Sequence, residues 1–187
     1  MVLKFGLPDS LPTSRSHEGS VLRTLWIQNG VRYTQSVFVS RVVVGKLDTT
    51  LDQRAIPVLI IAIEGENTNG VYAEGFASLS AESGGKLQFL ELTNGCVWRL
   101  VGGRQHVLGT VQIPDPGIRV SRGDKLKFSG NIPPSIKGSL GLAIPFSPLE
   151  EAELESLKDL ELEKELRQAI RSCEKKDNSG IELVFGP

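Results

Sequence analysis

The chain has 187 residues, 40% hydrophobic and 23% charged, with a formal net charge of −1. That is ample for one domain with its own core and ordinary for a soluble protein, and no run of about 18 apolar residues exists to form a membrane-spanning helix. Two cysteines, Cys96 and Cys173, make no disulfide framework and are expected as buried free thiols of an intracellular protein.

Residues 1–20 lack the apolar segment of a secretory signal and read as an irregular N-terminal arm. The first secure element is a hairpin: Val21 to Ile27 and Val31 to Val39 flank Asn29-Gly30, the dipeptide that best tolerates the positive φ angles of a type I′ turn. The alternation Val37, Val39, then Val42, Val44 changes phase around Arg41, which predicts a long strand carrying a bulge. Pro57 to Glu64 is uniformly apolar up to its last residue, as in a strand covered on both faces. Further strands are expected at Val71 to Ser80, Lys86 to Leu92, Cys96 to Val101, Arg104 to Ile113, Ile118 to Val120, Lys125 to Ser129 and Ser139 to Ile144, with Asn94-Gly95 and Pro114-Asp115-Pro116-Gly117 as turns. About nine or ten short strands at regular spacing predict an antiparallel β-sandwich, jelly roll or barrel over residues 21–146.

From Pro148 to Lys176 the chain has no glycine and no further proline, and Leu, Glu, Lys, Arg and Ala dominate. Ser147 and Glu150 form a capping box with proline at the first helical position, predicting a helix over 147–176 that starts at Pro148. Its apolar stripe changes face near Glu161: Leu149, Leu154, Leu157 and Leu160 share one side, whereas Leu162, Leu166, Ala169, Ile170 and Cys173 share another. Either the helix kinks or breaks there, or it stays straight, spans about 40 Å, and packs its halves on different partners. Residues 177–187 read as a tail in which Ile181 to Phe185 form a last strand or arm.

The chemical inventory is thin. His17 and His106 are the only imidazoles, and no nucleophile elbow, P-loop, dinucleotide-binding glycine motif or metal-ligand spacing is present, so no catalytic residues, metal or cofactor are expected. Glu64, Glu66, Glu74 and Glu91 are the carboxylates a sugar-active site would need, and Trp26, Trp98, Tyr33 and Tyr72 the aromatics of a carbohydrate platform. Arg122-Gly123-Asp124 spells an integrin-recognition tripeptide that a tight turn explains equally well.

Charge is uneven: residues 1–147 carry 15 basic against 11 acidic side chains, and residues 148–187 carry 6 against 11. Arg119, Arg122, Lys125 and Lys127 form the densest basic stretch, which predicts phosphate contacts if nucleic acid is a partner. The leading expectation is a non-enzymatic structural or interaction protein, intracellular or in a virion. It would self-associate through Leu162, Leu166, Ala169, Ile170 and Cys173, by analogy with viral capsid, matrix or movement-type proteins. Nucleic-acid binding through the basic strand and a carbohydrate-directed role are the alternatives.

Overall fold

The computed structural model describes residues 2–6, 14–45, 54–68, 70–71, 73–83, 86–87, 90–93, 95–101, 104–112, 118–121, 126–147, 149 and 151–174. The strands are β1 (Val2–Gly6), β2 (Ser14–Glu18), β3 (Val21–Gln28), β4 (Val31–Val44), β5 (Arg54–Asn67), β6 (Ala73–Ser83), β7 (Lys86–Leu87), β8 (Leu90–Thr93), β9 (Cys96–Val101), β10 (Arg104–Gln112), β11 (Ile118–Ser121), β12 (Leu126–Ile132) and β13 (Lys137–Pro145); two helices follow, α1 (Glu151–Lys158) and α2 (Leu162–Glu174). The protein is mainly β and antiparallel, with a short helical segment at its C-terminal end.

Eight strands form a large sheet in the order β2-β3-β4-β5-β13-β10-β9-β8, and β1-β6-β12-β11, with β7 on β6, form a smaller one. The Asn29-Gly30 hairpin is present as the sequence predicts, with φ of 50° and 76°. Two strands occupy the stretch expected as an irregular arm: β1 joins β6 and β2 joins β3. The reason is visible in β2, whose five residues are all exposed. Main-chain pairing with β3 and one surface ion pair, Glu18 with Arg23 at 2.8 Å, hold it, so it shows no hydrophobic alternation.

Strand β4 explains the phase change in its sequence. Its register with β5 runs without a break from Val31 opposite Asn67 to Val44 opposite Arg54, so the expected bulge is absent. What changes is the covering layer. Val31 and Tyr33 belong to a core shared with Phe128 and Ile132 of the small sheet, whereas Phe38, Val42 and Val44 turn to the opposite face, into a second core shared with the helices. Beside it, β5 sends Ile61 and Ile63 toward the small sheet and Ile56, Val58 and Ile60 toward the helices, as the doubly covered strand expected from its composition. Buried Asn67 ties the sheets together, its Nδ2 donating to Ile132 O at 2.7 Å and to Val71 O at 2.7 Å.

Of the two forms open to the helical segment, broken near Glu161 or straight, the structure has the break. α1 ends at Lys158 and α2 begins at Leu162. The break lets both apolar stripes face one sheet: Leu157, Leu160 and Ala169 are buried in the second core, with Leu149, Leu162, Leu166 and Ile170 packed against it. A straight helix would have turned one stripe to solvent. The helical segment also starts later than predicted, at Glu151 rather than Pro148. Phe146 N–H still donates to Pro57 O at 3.1 Å, which extends the β13–β5 ladder by one bond, and the Ser147 hydroxyl is buried without a hydrogen-bond partner among the described residues.

Candidate interaction surfaces

The helical layer is fastened to the sheet by polar contacts around its apolar interior. Arg54, at the start of β5, grips Glu153 of α1 in a two-point pair, Nε to Oε1 at 2.8 Å and Nη2 to Oε2 at 2.9 Å. Gln112 of β10 reaches the end of α1 and donates through Nε2 to Leu157 O at 3.1 Å and Lys158 O at 3.0 Å, satisfying carbonyls that the helix leaves open. The Ser40 hydroxyl bonds the Glu165 carboxylate, and the Ser20 hydroxyl donates to Ala169 O at 3.3 Å. Lys158 donates to Glu155 at 2.6 Å, which raises its pKa, and burial raises that of the nearby Cys96 thiol.

Of the residues expected to mediate self-association, Leu162, Leu166, Ala169 and Ile170 are thus placed on the chain's own sheet. The side chain of Cys173 lies outside the described residues. The exposed side of α2 is polar and charged, with Glu163, Lys164, Arg167, Gln168 and Arg171 toward solvent.

Of the basic set, Arg119 and Lys127 are described and both are exposed; Arg122 and Lys125 lie outside the described residues, as does the Arg122-Gly123-Asp124 tripeptide. Arg119 stands opposite Ser129 and Lys127 opposite Ser121, so the two cations are diagonal neighbours on the outward face of the β11–β12 pair, about 7–8 Å apart by strand geometry. β11 is also the edge of its sheet.

The carboxylates are dispersed. Glu64 lines a cleft of about 400 Å³ at the helix break, together with Gln112, Ser139, Glu161, Glu163 and Arg167. Glu66 pairs at the surface with Arg32 at 3.6 Å. Glu74 lies on the small sheet and Glu91 on β8, four strand positions from β5, or about 19 Å, beyond the separation of a glycosidase pair. Of the platform aromatics, Trp26 and Tyr33 are buried and stacked on each other with ring centroids 5.2 Å apart, Trp98 is half-buried, and Tyr72 lies outside the described residues. His17 is exposed on β2, and the His106 side chain lies outside the described residues. Among the described residues no group of three or more His, Cys, Asp or Glu side chains is placed to hold a metal ion, and no helix is long and apolar enough to cross a membrane.

Sequence reasoning missed the most distinctive surface. Among the described residues the core shared with the small sheet takes in only the Val31–Tyr33 end of β4, and on the same side of the strand Val39 and Val43 are 47% and 56% exposed. Phe146, beside Pro57, is 60% exposed. The signal was present in the Val37-to-Val44 phase change, which marks where one covering layer gives way to another.

These features define a class: a mainly antiparallel β protein of two sheets, with a helical pair on the outer face of the larger one. No protein-family description matches the chain, and no curated protein is significantly similar to it in sequence.

Proposed function

We propose that this is a non-enzymatic assembly or interaction protein, a β-sandwich whose work is done by its surfaces and which self-associates. The observation that carries this reading is the exposed side of β4, where Val39 and Val43 face solvent. Exposed valines on a regular strand are the kind of surface that protein contacts cover. The apolar stripe of α2 packs on its own sheet, so this reading moves the contact from that stripe, where the sequence suggested it, to the exposed side of β4. A structural role in a virion belongs to this proposal by analogy of architecture alone. Sedimentation equilibrium of the full chain tests it: the expected result is a mass that rises above 20.3 kDa with concentration. A mass of 20.3 kDa throughout contradicts it.

A second reading, nucleic-acid binding, is favoured by the Arg119 and Lys127 pair on one outward face. It predicts binding to a single-stranded oligonucleotide whose affinity falls with salt, and a salt slope reduced by about 2 in Arg119→Glu with Lys127→Glu. Binding unaffected by that double substitution removes these residues from the site.

A further inference from the structure

Three glycines meet between the sheets near the ends of their strands. Gly138 of β13 stands directly opposite Gly65 of β5, and both are in phase with residues that face the small sheet, Leu140 on β13 and Ile63 on β5. Gly130 of β12, in phase with buried Phe128 and Ile132, comes to the same place from the small sheet. Ile132 and Tyr33 take up the space over Gly65, where a β-carbon would lie 2.9 Å from Ile132 Cδ1 and 3.2 Å from Tyr33 Cε1. What is left beside Gly130 and Gly138 is a half-open slot of about 40 Å³, walled by Ile63, Ile118, Phe128 and Leu140. Glycine inside a strand marks a place where a ligand or another backbone comes close.

The loops beside the slot are held rigidly and carry aliphatic side chains outward. Buried Asn67, two residues beyond Gly65, ties them together. Its N–H donates to Ile136 O at 3.3 Å, its C=O accepts from Ser135 N–H at 3.2 Å, and its Nδ2 donates to Ile132 O and Val71 O, each at 2.7 Å. Pro133 to Ile136 close a turn in which Ile136 N–H donates to Pro133 O at 3.2 Å. Ser135 holds a φ of 60°, the left-handed conformation that a type II turn requires at its third position and that favours glycine. Such strain persists only where the surroundings impose it, and it collects at ligand-binding sites. The side chains this framework holds out are Val71, 67% exposed, and Ile136, 50% exposed. Neither is of the Trp, Tyr or Arg type that dominates protein–protein contacts.

We propose that the slot takes the end of an unbranched aliphatic chain, whose next methylenes lie against Ile136 and Val71. Size selects this chemistry. A single water needs about 10–15 Å³, so the slot admits about three or four atoms in file, whereas a benzene ring needs about 150 Å³. The lining selects it too. Ser129 and Ser139 border the slot but stand out of phase with its buried residues, which leaves a hydroxylated ligand few partners. Gly65 lies opposite Tyr33, at the end of β4 away from Val39 and Val43, so this site is separate from the surface assigned to self-association.

Two probes test the site on the full chain: monomeric decanoate, followed by methyl NMR, and phosphatidylcholine vesicles, followed by co-sedimentation. The expected result with decanoate is a saturable shift of the Ile63, Ile132 and Leu140 methyl signals while those of Val58 and Ile60, in the other core, stay in place. That result assigns a free amphiphile as the source of the chain; co-sedimentation with no response to decanoate assigns a bilayer lipid. Gly138→Val fills the slot and Ile136→Ser strips its rim, and each should weaken binding about tenfold with an unchanged far-UV circular dichroism spectrum. Binding that survives in folded Gly138→Val, or in Ile136→Ser where the first variant does not fold, overturns the site. A native chain that binds neither probe overturns it as well.

Discussion

Gly141 of β13 lies directly under Leu162 of α2, so close that a β-carbon at 141 would overlap the leucine methyl groups. Gly141→Ala must turn the Leu162 methyl groups aside, a shift at the end of a flexible, half-buried side chain, so stability should fall by only about 1 kcal/mol. Urea denaturation of the variant against the native chain measures it; a loss several times larger would mean that Leu162 is locked in place and the helix itself has to move.

Gln112 holds the other helix. Its amide serves two carbonyls at the end of α1, and Gln112→Leu leaves both without that donor beside an apolar interior. A loss of about 1–3 kcal/mol is expected, read by thermal or urea unfolding. Retained stability would show that water satisfies these carbonyls equally well.

The apolar stripes of the two helices should behave as core. Leu157 is fully buried, and Leu157→Ala should cost about 2–5 kcal/mol. Leu166→Asp with Ile170→Asp should weaken folding before it alters the mass of the native protein. A folded, stable double variant that has simply become monomeric would return these residues to the subunit interface expected from the sequence.

Cys96 supplies a pH test. Burial raises its pKa above 9.0, so the fold favours the protonated thiol. Its contribution is complete below the ordinary thiol range and is lost as pH rises through the folded-state value. Lys158, raised by its bond to Glu155, acts in the same direction. Stability should therefore fall as the solution is made alkaline, and Cys96→Val should flatten part of that decline. Iodoacetamide should label Cys96 slowly in the native protein and quickly once it is unfolded. Fast native labelling at neutral pH would place the thiol at the surface.

Much of the β layer was legible in the chain because its signals are local. Asn29-Gly30 dictates a turn, and a continuous apolar run such as Pro57 to Ile63 requires cover on both sides. The change of helical stripe at Glu161 pointed to a break, but cap and propensity alone favoured one uninterrupted helix; what separates α1 from α2 is the sheet beneath both. β2 was illegible because an exposed strand held by main-chain pairing leaves no apolar pattern in its side chains. The basic stretch was visible as composition, yet only its neighbours across the hairpin place Arg119 and Lys127 on one face. The slot between the sheets could not be read at all, since it depends on where the strand registers set their glycines.

Methyl NMR of Val39 and Val43, followed at high and low protein concentration, tests the central claim most directly. The account predicts that these signals shift as the protein associates and return on dilution, while those of buried Val58 and Ile60 stay in place. Signals that are the same at every concentration would contradict it.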